Sequence, residues 1–230
     1  MESVCAPAQA GALAARSMFN CRAPACAGAR WCFDEIAHPW QRPRQSNQGN
    51  SPMRIDLIPA GDDVPNSLNV LIEVPIGGEP VKYEFDKASG ALFVDRFLHT
   101  PMRYPANYGF VPHTLGEDGD PLDALVVARS PIMPGAVVKC RPVGVLLMED
   151  DKGGDEKLLC VPVNATFPYY ADVVSFKDLK PIVLQQVEHF FTHYKDLEPG
   201  KWAQLNGWGD VDEAKRIIIE CVARAKEVGF

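Results

Sequence analysis

The chain has no apolar run approaching the roughly 20 residues needed to cross a bilayer, so nothing in it reads as a membrane span. It has no surplus of basic charge either, with 23 Lys+Arg against 30 Asp+Glu and a net charge of −7. That argues against general nucleic-acid binding, which needs surface cations to replace counterions. There is no Walker A loop and no GxGxxG turn. His189 and His193 share a helix-like spacing, but Glu188 precedes the first of them, so HExxH is absent. An EF-hand loop opening at Asp118 would need Gly sixth and Glu twelfth, where this chain has Asp123 and Arg129.

The first 52 residues have no lysine. They carry five Arg, three acidic residues, four of the seven cysteines and no sustained hydrophobic period, and they lack the apolar centre of a secretory signal. Cys21, Cys26, Cys32 and His38 fit none of the usual zinc-knuckle spacings. The expectation is a disordered extension or a mis-called start over 1–52, with Met53 as the working start and 53–230 as a single catalytic domain. An organellar transit peptide is the alternative for the leader. Without those 52 residues the body holds 18 Lys+Arg and 27 Asp+Glu, a net −9. At 47% hydrophobic residues the chain can bury its core without disulfides. Cys140, Cys160 and Cys221 lie in apolar stretches and read as reduced core residues of a cytoplasmic protein.

Apolar or alternating runs predict strands over 70–74, 81–86, 91–98, 124–127, 137–148 and 156–163, bounded by Pro and Gly turns. The period then changes. Leu184, Val187, Phe191 and Tyr194 form one helical stripe after Pro181, and Ala214, Ile217, Ile218, Cys221, Val222 and Ala225 form another, with Asp210 or Asp212 as N-cap. Strands followed by two helices predict an α+β domain, most simply a small barrel with helices packed outside.

What the chain does have is a carboxylate cluster. Asp118-Gly119-Asp120-Pro121-Leu122-Asp123 puts three acids into six residues at a turn before the apolar run 124–127. Like charges held that close need a cation between them, and hard divalent ions such as Mg²⁺, Mn²⁺ or Ca²⁺ prefer carboxylate oxygens. Taken alone, the segment also suits a solvated turn. Glu73 interrupts an apolar strand, where an unpaired carboxylate costs several kcal/mol, unless that face is a wet edge. Lys82 and Glu84 share a strand face. Residues 150–157 add Asp150, Asp155 and Lys157; Tyr104 and Tyr108 flank a turn; Arg96 sits beside Asp95; and Tyr194-Lys195 closes the first helix. Carboxylates, cations and tyrosine hydroxyls in this number suit hydrolysis of a small phosphate anhydride. An oligonucleotide-binding barrel and a Ca²⁺-stabilised structural protein are the rivals; the net −9 opposes the first, and turnover would exclude the second.

Over about residues 54–228 the chain resembles the family I soluble inorganic pyrophosphatases in their short bacterial form. The resemblance rests on D-G-D-P-x-D at 118–123, Glu73, Lys82-Tyr83-Glu84, residues 90–96 and 104–109, D-x-x-G-x-D-x-K at 150–157, and His193-Tyr194-Lys195. It implies a five-stranded OB-like β-barrel with two main flanking α-helices. The implied reaction is Mg²⁺-dependent hydrolysis of inorganic pyrophosphate to two orthophosphates, by in-line attack of a metal-bridged hydroxide. Asp118, Asp120, Asp123, Asp150 and Asp155 are the implied ligands of several Mg²⁺ ions, with Mn²⁺ or Zn²⁺ as substitutes and Ca²⁺ as an inhibitor. Asp120 is implied to take the proton, with Glu73 and Tyr108 also in the catalytic group. Lys82 and Tyr108 would hold the attacked phosphate, and Arg96, Tyr194 and Lys195 the leaving one. Glu73, Glu84, Tyr104 and Lys157 would orient water, metal or phosphate at the edge. The resemblance also implies a homo-oligomer, a hexamer, with His189 and His193 as interface candidates. No nucleic acid and no membrane are expected as partners.

Overall fold

Residues 53–229 are described by the structure, a computed structural model; the expectations for 1–52 lie outside the described residues. The β-branched and leucine run at 70–72 suits a pleated, buried surface, and it lies in strand β1 (Leu68–Val74). Strands β2 (Val81–Phe85) and β3 (Leu92–Phe97) form a separate antiparallel hairpin. Strands β4 (Asn107–Phe110), β5 (Asp123–Val126), β6 (Val137–Asp150), β7 (Gly153–Gly154), β8 (Lys157–Pro162) and β9 (Ala203–Gly209) join β1 in the larger sheet. Pairing runs β1–β4–β5–β8–β6, and β6 pairs back onto β1. Only β5–β8 is parallel within that circuit. The short β7 and the later β9 both add to β6.

The two expected helices are present. Helix α1 (Pro181–His193) starts on Pro181, whose missing N–H costs a first turn nothing. Helix α2 (Val211–Glu227) is capped by Asp210, whose side chain accepts from the N–H groups of Asp212 and Glu213. Alternation along β5 and β8 divides the core. Ala124, Val126, Leu158 and Cys160 pack with Ile217, Ile218 and Cys221 of α2. Leu125, Leu159 and Val161 pack with Val187, Phe190 and Phe191 of α1. Each such fully buried aliphatic side chain contributes about 1.5–3 kcal/mol of transfer free energy.

Strands appear at all six expected places. Three others were not expected: the two-residue β7 in the charged 149–155 loop, β4 and β9. β4 lies inside the tyrosine-bearing turn segment, and all four of its residues are buried, so no alternation marks it. β9 follows α1 and mixes Gln204, Asn206 and glycines; it exists because β6 supplies its hydrogen-bonding partner.

Gly109 of β4 crosses directly over β1: a Cβ there would lie 2.0 Å from the Leu71 carbonyl oxygen and 2.8 Å from Ile72 Cα. Backbone cannot yield to that as a side chain can. Gly109→Ala is therefore expected to lower unfolding free energy by about 3 kcal/mol or more, read by urea denaturation. An unchanged midpoint would contradict the close approach.

Candidate active site

Register assembles the site. In the parallel β5–β8 pair, Asp123 stands opposite Lys157, and a slip of one residue would send one of them to the other face. Lys157 Nζ lies 2.5 Å from Asp123 Oδ2 and also donates to Asp155. The Tyr108 hydroxyl donates to the same Asp123 oxygen at 2.5 Å. Tyr104 packs on Tyr108 with ring centroids 5.1 Å apart, and Tyr194 stacks on Phe190 at 5.2 Å. On the hairpin, Lys82 donates to Glu84 and lies 3.7 Å from Asp95, and Arg96 is its cross-strand partner.

The β4–β5 connection carries the three-aspartate turn. Gly119 adopts φ +88°, a left-handed conformation that glycine accepts without strain. The Asp120 N–H then donates to Asp118 Oδ1 at 3.1 Å, and Gly116 N–H donates to the Asp120 carbonyl at 2.7 Å. The Thr114 hydroxyl accepts from Leu122 N–H and donates to the Val111 carbonyl, which pins both ends of the loop. At the β6–β7 turn, Lys195 Nζ lies 2.7 Å from Asp150 Oδ2 and 3.4 Å from Asp151 Oδ1.

Glu73 is not at a wet edge. β1 is paired on both sides, and its register against β4 jumps between Ile72 and Val74, so Glu73 is the extra residue of a bulge. Bulges re-aim side chains, and this one turns a carboxyl toward the hairpin, where Glu73 Oε1 accepts the Phe85 N–H at 2.9 Å. Burial pushes its pKa up to about 8, against the opposing Phe85 N–H. Burial likewise raises Asp118, reinforced by Asp155, Asp120 and Asp123. At Asp150 burial is outweighed by Lys195 and the Lys152 N–H, and the carboxyl ends below its usual range. Burial alone would lower Lys157, but Asp123 and Asp155 hold it firmly protonated. Burial keeps the hydroxyls of Tyr104, Tyr108 and Tyr194 protonated, hence able to donate.

Every residue expected in the site lines one cleft: Glu73, Lys82, Glu84, Arg96, Tyr104, Tyr108, Asp118, Asp120, Asp123, Asp150, Asp155, Lys157, Tyr194 and Lys195. Asp151, Lys152, Lys87 and Lys201 join them without having been anticipated as site residues. Lys201 reaches Asp151 at 2.5 Å; the doubled Asp150-Asp151 was the available signal. Among the described residues, no three His, Cys, Asp or Glu side chains converge closely enough to hold a metal ion as they stand. The donor set nevertheless suits hard divalent cations, since all its candidate ligands are carboxylates. Eight carboxylates and seven lysine or arginine groups line the cleft. Such a balance offers a polyanion no surplus of positive charge.

Fold and cleft together mark a class: a sheet-rich enzyme domain whose site interleaves acids, cations and phenols around a small charged substrate. A family model described as inorganic pyrophosphatase matches residues 70–226. The chain is 56% identical over 177 residues to an inorganic pyrophosphatase from Agrobacterium fabrum, covering 77% of this chain and all of that one. It is 57% identical over 175 residues to one from Bradyrhizobium diazoefficiens, covering 76% and 98%. The crystal structure of an inorganic phosphatase from Anaplasma phagocytophilum superposes with a TM-score of 0.72 at 50% identity, covering 74% of this chain and 99% of that one. The chain belongs to the inorganic pyrophosphatase family, and it is a hydrolase.

Glu73 also sets a pH dependence. Folded Glu73 keeps its proton to about pH 8, whereas an unfolded glutamate loses it near its ordinary pKa of 4.5. The folded state therefore binds more protons in that window, and stability falls as pH rises through it. Glu73→Gln keeps an acceptor for Phe85 N–H and carries no such penalty. Urea unfolding without added metal should show the variant gaining stability over the parent between pH 5 and pH 8. A constant difference would show that Glu73 is ionised throughout.

Proposed function

We propose that this cleft hydrolyses inorganic pyrophosphate to two orthophosphates with Mg²⁺, and that strands β1, β4, β5, β8 and β6 act as a small OB-like barrel supporting it. The observation that carries the reading is the near-equal interleaving of acidic and basic groups around one cleft. A substrate with several negative charges cannot be neutralised by that set alone. Asp118, Asp120, Asp123, Asp150 and Asp155 would hold the ions. Bound Mg²⁺ offsets phosphate charge and makes water more acidic at neutral pH. Mn²⁺ or Zn²⁺ could substitute; Ca²⁺, larger and less strict in geometry, would inhibit.

The chain's own groups divide the remaining work. Asp120 is exposed at the cleft mouth, 3.7 Å from Lys152, and serves as the base for water attacking in line. Tyr108 and Lys82 hold the attacked phosphate. Arg96, Tyr194 and Lys195 stabilise the leaving phosphate as charge builds on it. Lys157 fixes Asp123 and Asp155 relative to each other, Tyr104 buttresses Tyr108, and Glu73 and Glu84 orient groups from the hairpin side. The free, buried Cys140, Cys160 and Cys221 suit a reducing cytoplasm. The chain would assemble as a homo-oligomer, a hexamer, through surfaces that include His189 and His193. No helix of the described residues is long and apolar enough to cross a membrane.

Asp120→Asn keeps the shape of the side chain but cannot take a proton. Steady-state phosphate release should fall about 10²–10⁴-fold, while calorimetry still detects Mg²⁺ binding. Near-parental turnover would remove Asp120 from the role of base.

A further inference from the structure

Beside the leaving-phosphate side of the cleft lies an ion pair that is almost, but not fully, made. Arg96 Nε faces Glu198 Oε1 at 3.5 Å. Both atoms are buried, and neither has a hydrogen-bond partner among the described residues. The Glu198 side chain is only 9% exposed. The Arg96 side chain is 32% exposed, so its charge still meets solvent. Leaving a buried N–H and a buried carboxylate oxygen unpaired is nevertheless costly, and persists only where the surrounding structure imposes it.

The surroundings do impose it. His99 Nδ1 contacts the Leu197 carbonyl at 3.1 Å, and the Thr100 hydroxyl donates to the Tyr194 carbonyl at 3.4 Å. With Arg96–Glu198, three contacts tie the end of β3 to the segment after α1. The other flank of that segment is anchored by Lys195 to Asp150 and by Lys201 to Asp151. Glu198 thus sits in a strap running from the β6–β7 turn to the hairpin.

We infer that Glu198 is a positioning residue for Arg96, aiming its guanidinium into the cleft by charge. A planar guanidinium held near Nε by Glu198 and at Nη1 by Asp95, 3.3 Å away, cannot rotate freely. Glu198 touches no reacting group; it acts through Arg96. This rests on the reading that Arg96 stabilises the leaving phosphate. That interaction strengthens only as charge develops, so its loss appears in kcat.

The test is a cycle of Glu198→Gln, Arg96→Ala and the double variant, with pyrophosphate and Mg²⁺, alongside thermal melting. Glu198→Gln should lower kcat about tenfold, with KM changed less than about twofold, and the double variant should match Arg96→Ala. Glu198→Asp, which keeps the charge but not the length, should be faster than Glu198→Gln; a purely packing role predicts the reverse. Parental kcat in Glu198→Gln, or a double variant slowed by the product of the single effects, would overturn the inference. Parental kcat in Arg96→Ala would instead overturn the role given to Arg96, which separates the two failures.

Discussion

The repulsion among carboxylates gathered on one cleft is the constraint from which the rest of the structure follows. Asp118, Asp120, Asp123, Asp150, Asp151 and Asp155 come from two turns on separate parts of the chain, and without compensation they would drive those turns apart. Lys157 is buried between Asp123 and Asp155, and Lys195 is buried against Asp150. Neither lysine could be there without backbone register: Lys157 is fixed opposite Asp123 by the parallel β5–β8 ladder. Lys195 follows directly on Tyr194, which closes α1 and is packed by Phe190 and Phe191. The apolar core therefore acts on the chemistry through geometry, by holding cations where the acids need them.

That compensation is close to balanced, which bears on function. A cleft with a large positive surplus would hold phosphate on its own; one with a large negative surplus would repel it. This cleft does neither, and it suits a substrate that arrives with divalent cations. Membership of the inorganic pyrophosphatase family agrees with that chemistry. The strap from residue 194 to 201 adds a connection between the two sides of the cleft. It joins the turn bearing Asp150 to the hairpin bearing Lys82 and Arg96.

Much of this was legible in residue order. Asp118 to Asp123 announced itself through charge density in a Gly-Pro turn, and Lys82 and Glu84 through alternation. Glu73 stood out as a carboxylate among Val, Leu and Ile, but its bulge did not, because a bulge depends on how β1 meets β4 and leaves no local pattern. In sequence β4 looks like a turn, because Asn107, Tyr108, Gly109 and Phe110 are buried on both faces and so show no period. β9 was missed because its stability comes from β6 and not from its own composition. Glu198 and Lys201 look like ordinary surface charges in sequence; only their partners Arg96 and Asp151, distant in the chain, give them a role.

The central claim is that the cleft needs divalent cations to handle a polyanionic substrate. Phosphate release from pyrophosphate, followed with Mg²⁺, with EDTA and with Ca²⁺ in place of Mg²⁺, tests it most directly. Rapid release with Mg²⁺ alone, abolished by EDTA and suppressed by Ca²⁺, is the predicted result. Equal release in EDTA would contradict the claim, because the chain's own cations would then suffice; so would folded protein that releases nothing under any of the three conditions.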